Sequence, residues 1–205
     1  MISPQGGRDD TQTLLHEAGH TEHFAHVEPG LPFERRLLGD NSFTEAFAFL
    51  FQYLAEEPAW LEEVLGVDGE PLAGYAQAVK LIFLRRYSAK LGYERRLHAA
   101  DTDLSAMPGE NARRLSAAVH VDWPRESWIQ DVDPFFYSAC YLRAWAAERS
   151  LRAHLVETFG ERWFTEPAAG DVLKRIWSKG QRALAEELLE EIGAPPHIDL
   201  GVLAV

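Results

Sequence analysis

Residues 11–26 read TQTLLHEAGHTEHFAH, and residues 42–54 read SFTEAFAFLFQYL. Both stretches have apolar residues at the three- and four-residue spacing that predicts a helix. In the first, His16 and His20 are four residues apart, which places them on one helical face, one turn from each other. Residues 29–32 between the stretches contain two prolines and a glycine. Such a segment ends a helix and permits a reversal, so we expect two neighbouring helices packed antiparallel.

Most of the remaining sequence also predicts helices, over residues 72–97, 109–119, 136–159 and 171–192. Residues 120–134 contain two prolines and several aspartates, which favour an irregular loop. A short strand is considered only at Val27 and over residues 200–205. The expected fold class is therefore mainly α, with residues 1–205 forming a single domain.

Composition and charge exclude several classes of partner. The 205 residues carry a formal net charge of −12, with acidic and basic residues interspersed. Such a surface repels phosphate backbones, so we expect no nucleic acid partner. No stretch approaches the ~20 apolar residues that span a bilayer, so no membrane partner is expected. Cys140 is the only cysteine, and the first residues are polar, which together favour a cytoplasmic protein.

The histidine pair and its neighbours have the pattern of a catalytic zinc site. His16 and His20 can offer two imidazole nitrogens to one Zn²⁺ ion. Glu17 follows the first histidine and can act as the general base towards a water molecule that the metal activates. Glu45 on the next predicted helix is the candidate third ligand, which leaves one coordination position open. Imidazole and carboxylate also suit other divalent ions, so the residues alone leave the metal open.

Glu45 has an alternative interpretation, and the nearby His23 has two. Ser42 and Glu45 have the spacing of a capping box, in which Glu45 would bond the start of its own helix. His23 continues the face of His16 and His20, and it is interpreted as a packing residue or an outer contact of the site.

This arrangement resembles the gluzincin metallopeptidases, and most closely the branch of thimet oligopeptidase and oligoendopeptidase F. In that branch, H-E-x-G-H on one helix is followed by a glutamate ligand on the next, and here Glu45 follows His20 by 25 residues. Phe49 stands where the thermolysin branch has an aspartate. The resemblance implies a helical zincin-like catalytic domain that hydrolyses peptide bonds with one zinc ion and Glu17 as base.

Residues 136–141, FYSACY, resemble the aromatic segment near the C-terminus of the same family. The resemblance implies that Tyr137 and Tyr141 face the metal and hydrogen-bond the reaction intermediate. An upstream family histidine falls near Val132 or Asp133 here, and a further tyrosine falls near Ala144, so two expected donors are replaced. The two tyrosines are equally interpretable as core aromatics.

The resemblance leaves several functions open. Family members have a long helical half before the zinc motif, whereas fifteen residues precede His16 here, so we expect the catalytic half alone. The first hypothesis is a zinc peptidase that acts on oligopeptide substrates. The second is a catalytically impaired domain that binds a peptide or a partner chain, and hydrolysis of a non-peptide amide is a third. A half-channel exposed in this way could be covered by a second copy in a homo-oligomer.

Overall fold

The computed structural model describes residues 4–193 and Gly201, apart from the side chains of Leu72 and Ala73. Within these residues the α-helices are α1 (Arg8–Ala25), α2 (Phe33–Leu37), α3 (Asn41–Gln52), α4 (Pro58–Trp60), α5 (Glu70–Leu97), α6 (Met107–Val119), α7 (Tyr137–Phe159), α8 (Pro167–Trp177) and α9 (Ala185–Glu191). The described residues contain no strand, which confirms the mainly α class. The strand considered for residues 200–205 lies, apart from Gly201, outside the described residues.

Shorter turns connect these helices. α3 continues into a 3-10 turn, Tyr53–Glu56, and α4 continues into a π-helical turn, Leu61–Leu65. The predicted irregular segment 120–134 contains a 3-10 turn at Arg125–Ser127 and leads into another at Pro134–Phe136. In the part of the chain that the structure describes, no helix combines the length and the apolar character needed to cross a bilayer.

The predicted single helix over residues 171–192 is wrong, because α8 ends at Trp177 and α9 begins at Ala185. Gly180 between them has a left-handed backbone, with φ of 63°. A Cβ atom at Gly180 would lie 2.7 Å from the carbonyl oxygen of Arg35, and Gln181 N donates to that same oxygen at 2.8 Å. The segment is therefore a tight turn packed against α2 rather than a helical continuation.

The chain divides into two compact units. The first comprises Met1–Ala76 and Arg143–Val205, and the second comprises Gln77–Leu142. The first unit contains α1 to α4, α8 and α9, and the second contains α6. Long helices α5 and α7 contribute residues to both. The single catalytic domain expected from the sequence stays a prediction.

Helix α3 lies in the core of the first unit. Every residue of α3 from Ser42 to Leu50 is buried, so this helix is covered on all sides. Its apolar residues Phe43, Phe47 and Leu50 pack with residues of α7, α8 and α9, namely Leu151, Leu155, Leu173, Ile176, Trp177, Leu188 and Leu189. Phe43 and Phe47 are therefore part of the hydrophobic core of the first unit. A polar or charged side chain on such a helix needs a specific partner, because burial removes its hydration.

Asp40 fixes the start of α3. Its carboxylate accepts a hydrogen bond from Ser42 N at 3.0 Å, as a helix N-cap does. The same carboxylate accepts from Arg143 Nη1 at 2.9 Å and from Ala185 N at 3.2 Å. Asp40 thereby ties the first turn of α3 to α7 and α9, which sets the axial position of every residue on α3.

Candidate metal centre

Gly19 allows α1 to lie directly against α3. A Cβ atom at this position would lie 2.6 Å from the carbonyl oxygen of Phe47 and 2.7 Å from the Cα atom of Ala48. Real Cβ atoms do not approach other heavy atoms so closely, so any larger residue would force the helices apart. Gly19 therefore determines how closely α1 and α3 pack, and this spacing decides which side chains of the two helices come into contact.

The contacts between the two helices run in opposite chain directions. His20 Nδ1 is hydrogen-bonded to Thr44 Oγ1 at 2.9 Å, near the start of α3. His16, one turn earlier on α1, has its Nδ1 2.8 Å from Gln52 Oε1, at the end of α3. Residue numbers thus fall along α1 as they rise along α3. The predicted antiparallel packing of these two helices is confirmed.

The side chains of His16, His20 and Glu45 converge between α1 and α3. Glu45 Oε2 lies 3.5 Å from His16 Nε2 and 3.7 Å from His20 Nε2. One potential ligand atom from each of the three residues lies within 4.8 Å of the other two. The imidazole rings are nearly perpendicular, at 85°, with centroids 4.9 Å apart. The three predicted ligands are therefore brought together, each offering an atom towards a common point.

The spacing of these atoms fits a tetrahedral metal ion. Two ligand atoms bound at ~2.0–2.1 Å to a tetrahedral zinc lie about 3.3–3.4 Å from each other. The distances from Glu45 to the two imidazole nitrogens, 3.5 and 3.7 Å, exceed that value by a few tenths of an ångström. Small rotations of the side chains would close this difference. Two imidazoles and one carboxylate are also the kind of ligand set that catalytic zinc uses.

The hydrogen-bond roles of the imidazoles make a cation favourable at that point. Gln52 Oε1 can only accept, so the Nδ1 of His16 carries the proton in the neutral ring, and its Nε2 bears a lone pair. That lone pair faces the carboxylate of Glu45, whose side chain is 7% exposed. Acceptor atoms that face each other in a buried setting repel unless a proton or a metal ion lies between them.

Burial keeps His20 available as a ligand. Desolvation lowers the pKa of His20 below its ordinary value of 6.5, even though the negative charge of Glu45 raises it. The electrostatic effect of the neighbouring His16 also lowers the pKa of His20, and that of Glu17 raises it. The neutral imidazole, which is the form that binds metals, therefore persists below pH 6.5.

The candidate base Glu17 lies on the exposed side of α1, directly after His16. Its carboxylate is close enough to act electrostatically on His20. The exposed position is compatible with access to a water molecule and a substrate. Its role as general base stays a prediction.

Tyr137 and Tyr141 belong to the second unit, in the first turns of α7. Their rings meet edge to face with centroids 5.0 Å apart, and Tyr87 makes a similar contact with Tyr141 at 5.4 Å. Both tyrosines are half-buried, so they belong to an aromatic group on α5 and α7. Their predicted role as hydrogen-bond donors to a reaction intermediate stays a prediction.

The alternative capping role of Glu45 is wrong. The N-cap of α3 is Asp40, and Ser42 already lies inside the helix. Glu45 therefore lies two residues beyond Phe43, the position from which a capping-box side chain would bond the backbone N–H of the N-cap. Its carboxylate points instead towards the imidazoles of α1.

The sequence interpretation missed Thr44 and Gln52, which hold the two imidazoles. The spacing on α3 contained a usable signal, because Gln52 follows Glu45 by seven residues and so lies on the same face two turns later. Thr44 directly precedes the candidate ligand and carries no comparable signal. By contrast, His23 is fully buried against Phe43 and Phe47, which confirms its interpretation as a packing residue.

No protein-family model, curated protein or solved structure shows a significant match to this chain. The fold and the site define a mainly helical protein with a His-His-Glu cluster between two antiparallel helices. Any more specific function has to be inferred from the chemistry of that cluster.

Proposed function

We propose that this chain is a zinc-dependent peptidase of the gluzincin type, related to the thimet oligopeptidase and oligoendopeptidase F branch. The observation that carries the proposal is the convergence of His16 Nε2, His20 Nε2 and Glu45 Oε2 on one point. When bound, zinc would supply Lewis-acid polarisation of the scissile carbonyl and would acidify a water molecule. A single ion with an open fourth position suits this chemistry.

In this proposal each side chain has a defined task. His16 and His20 would hold the ion through their Nε2 atoms, and Glu45 would supply negative charge that offsets part of the charge of the ion. Glu17 accepts the proton from the attacking water and passes it to the leaving amine. The family resemblance alone assigns Tyr137 and Tyr141 the role of hydrogen-bond donors to the oxyanion of a substrate.

The charge distribution supports peptides without excess negative charge as substrates. Residues 1–76, which supply all three candidate ligands and Glu17, contain 14 acidic and 3 basic residues. A local excess of one charge attracts ligands of the opposite sign and repels those of the same sign. We therefore expect cationic or neutral oligopeptides to be better substrates than acidic ones.

A second candidate function is peptide or partner binding without turnover. The histidine donor of the related family falls near Val132 or Asp133, and here Asp133 Oδ2 accepts a hydrogen bond from Lys90 Nζ at 2.6 Å. A carboxylate engaged in an ion pair cannot donate a hydrogen bond to an oxyanion. Loss of one such donor typically costs about 10²–10³ in rate, which would leave a weak or inactive enzyme.

Substitution of Glu17 tests the proposal most directly. The zinc-loaded wild type and its Glu17→Gln variant are assayed on fluorogenic cationic and neutral peptides, with Glu22→Gln on the same helix as the control. The amide should still allow zinc binding but cannot accept a proton, so Glu17→Gln should lose about 10²–10⁴ in kcat. Glu22→Gln should retain activity, because Glu22 pairs with His26 and not with the cluster.

Two outcomes would contradict the proposal. Equal hydrolysis by the wild type and Glu17→Gln would reject Glu17 as the base. A zinc-loaded wild type that hydrolyses none of the peptides but binds them would establish the second candidate function instead.

A further inference from the structure

We propose that Gln52 and Thr44 are positioning residues, which hold the two imidazoles of the candidate centre so that each presents its Nε2 to the metal. This inference rests on the proposed metal centre, and it assigns a role to side chains that do not touch the ion. The geometry that supports it is a pair of hydrogen bonds made by α3 to the outer nitrogens of both rings.

Gln52 determines the orientation of His16. Its amide oxygen lies 2.8 Å from Nδ1 of the ring, and because that oxygen is only an acceptor, Nδ1 must be the donor. The Phe49 ring packs against the same imidazole in an edge-to-face arrangement, with centroids 5.1 Å apart. Phe49 and Gln52 are three residues apart on α3, so one face of that helix holds the ring by a hydrogen bond and by packing.

Thr44 has the same role for His20. Its hydroxyl oxygen lies 2.9 Å from Nδ1 of that ring, and its own side chain is buried. Threonine on a helix has two main χ1 rotamers, and in the one observed here the hydroxyl lies next to the ring of His20. In the metal-binding tautomer Nδ1 donates to this hydroxyl, and Nε2 is left with its lone pair towards Glu45.

Helix α3 therefore acts as a template for the whole centre. Thr44 and Gln52 hold the two histidines, and Glu45 between them is itself a candidate ligand. Since all three are on one buried helix fixed at its start by Asp40, their relative positions are defined before any ion arrives. Outer contacts of this kind commonly contribute 10–100-fold to metal affinity.

Both positioning groups are uncharged, and this has a testable consequence. A carboxylate bonded to the outer nitrogen of a ligating histidine raises the basicity of the ring and strengthens its bond to the metal. The amide of Gln52 and the hydroxyl of Thr44 add no negative charge. Replacement of Gln52 by glutamate would retain the acceptor and add a charge, so it should strengthen zinc binding.

The experiment measures zinc affinity of the full chain by competition with a chromogenic chelator. Gln52→Leu and Thr44→Val remove one hydrogen-bond partner each with little change in volume, and each should weaken zinc binding about 10–100-fold. Thr44→Ser keeps an acceptor and should bind zinc about as tightly as the wild type does, and Gln52→Glu, which adds a negative charge, should bind it more tightly. The visible absorption of the Co²⁺-loaded proteins reports on ligand geometry independently of activity.

Gln12→Leu is the matched control. Gln12 lies on α1 one turn before His16, and its Nε2 donates to Glu56 Oε1 at 2.7 Å. This amide connects α1 to the 3-10 turn that follows α3, but it does not bond a candidate ligand. Its loss should leave zinc affinity unchanged, and the thermal midpoints of the metal-free proteins show how much each substitution affects folding alone.

The outcomes separate this inference from the proposed function. Wild-type zinc affinity and an unchanged Co²⁺ spectrum in both Gln52→Leu and Thr44→Val would overturn the positioning role, while the metal centre itself would stand. A wild type that binds no zinc would overturn both. If Gln52→Leu does not fold, Thr44→Val decides the result by the same criterion.

Discussion

At the scale of single residues, His23 gives this protein a stability that depends on pH. The side chain is fully buried, and desolvation lowers its pKa from 6.5 to about 4. A hydrogen bond between Nε2 and the carbonyl oxygen of Gly180, at 3.3 Å, opposes this effect only in part. The folded state therefore rejects a proton that the unfolded state accepts between pH 6.5 and pH 4.

The sign of the effect follows from that difference in proton binding. Above pH 6.5 His23 is neutral in both states and contributes no pH dependence. As the pH falls from 6.5 towards 4, the unfolded state binds the proton and is stabilised, which removes about 2 kcal/mol from the free energy of unfolding by pH 5.

Urea unfolding of the metal-free wild type and of His23→Gln, at about pH 7.5 and about pH 5, measures this loss. The wild type should lose about 2 kcal/mol more than the variant does, because glutamine cannot titrate. An equal loss in the two proteins would show that His23 is not the titrating group.

The candidate ligands show how far individual residues can be predicted from the sequence. His16 and His20 are determined by helical spacing, and Glu45 by its place on the next helix, so their convergence was predictable once antiparallel packing was assumed. Gln52 and Thr44 were not predicted, because a hydrogen bond across a helix pair depends on the axial offset between the helices. That offset is set by Gly19 and by Asp40, through contacts that the local sequence pattern does not encode.

At the scale of helices, the close packing of α1 on α3 depends on Gly19. In Gly19→Ala the added methyl group would meet the backbone of Phe47 and Ala48, so α1 would have to move away from α3. We expect a loss of about 1–3 kcal/mol in stability, as in other overpacked cores. Zinc affinity should fall as well, because the histidines would move away from Glu45.

Gly170→Ala in α8 is the control for that substitution. A Cβ atom at Gly170 meets nothing within 4 Å. Alanine is the better helix former, so this variant should keep or gain up to about 1 kcal/mol. Urea unfolding and zinc titration compare the two variants, and a Gly19→Ala protein with wild-type stability and affinity would contradict the role of Gly19.

Helix boundaries were predictable where apolar spacing and breaking residues agree. Residues 11–26 and 136–159 correspond to α1 and α7 within a few residues. The predicted helix over residues 171–192 failed because the break between α8 and α9 is a tertiary effect. Gly180 adopts a left-handed backbone to fit against Arg35, a residue far away in the chain.

At the scale of the whole molecule, the two units differ in charge. Residues 77–142 contain 9 basic and 8 acidic residues, whereas residues 1–76 alone contain 14 acidic and 3 basic ones. The net charge of −12 therefore resides outside the second unit, on the part of the chain that carries the candidate centre.

The mainly α class was predictable from composition and apolar spacing. A division into two units was not predictable, because α5 and α7 contribute residues to both units and no linker separates them.

The proposed function requires that His16, His20 and Glu45 hold one metal ion. Elemental analysis of the purified chain, beside His20→Ala and the control His154→Ala on α7, tests it most directly. We expect about one zinc ion per chain in the wild type and in His154→Ala, and almost none in His20→Ala. A wild type without bound metal after zinc loading and desalting, or an undiminished zinc content in His20→Ala, would contradict the account.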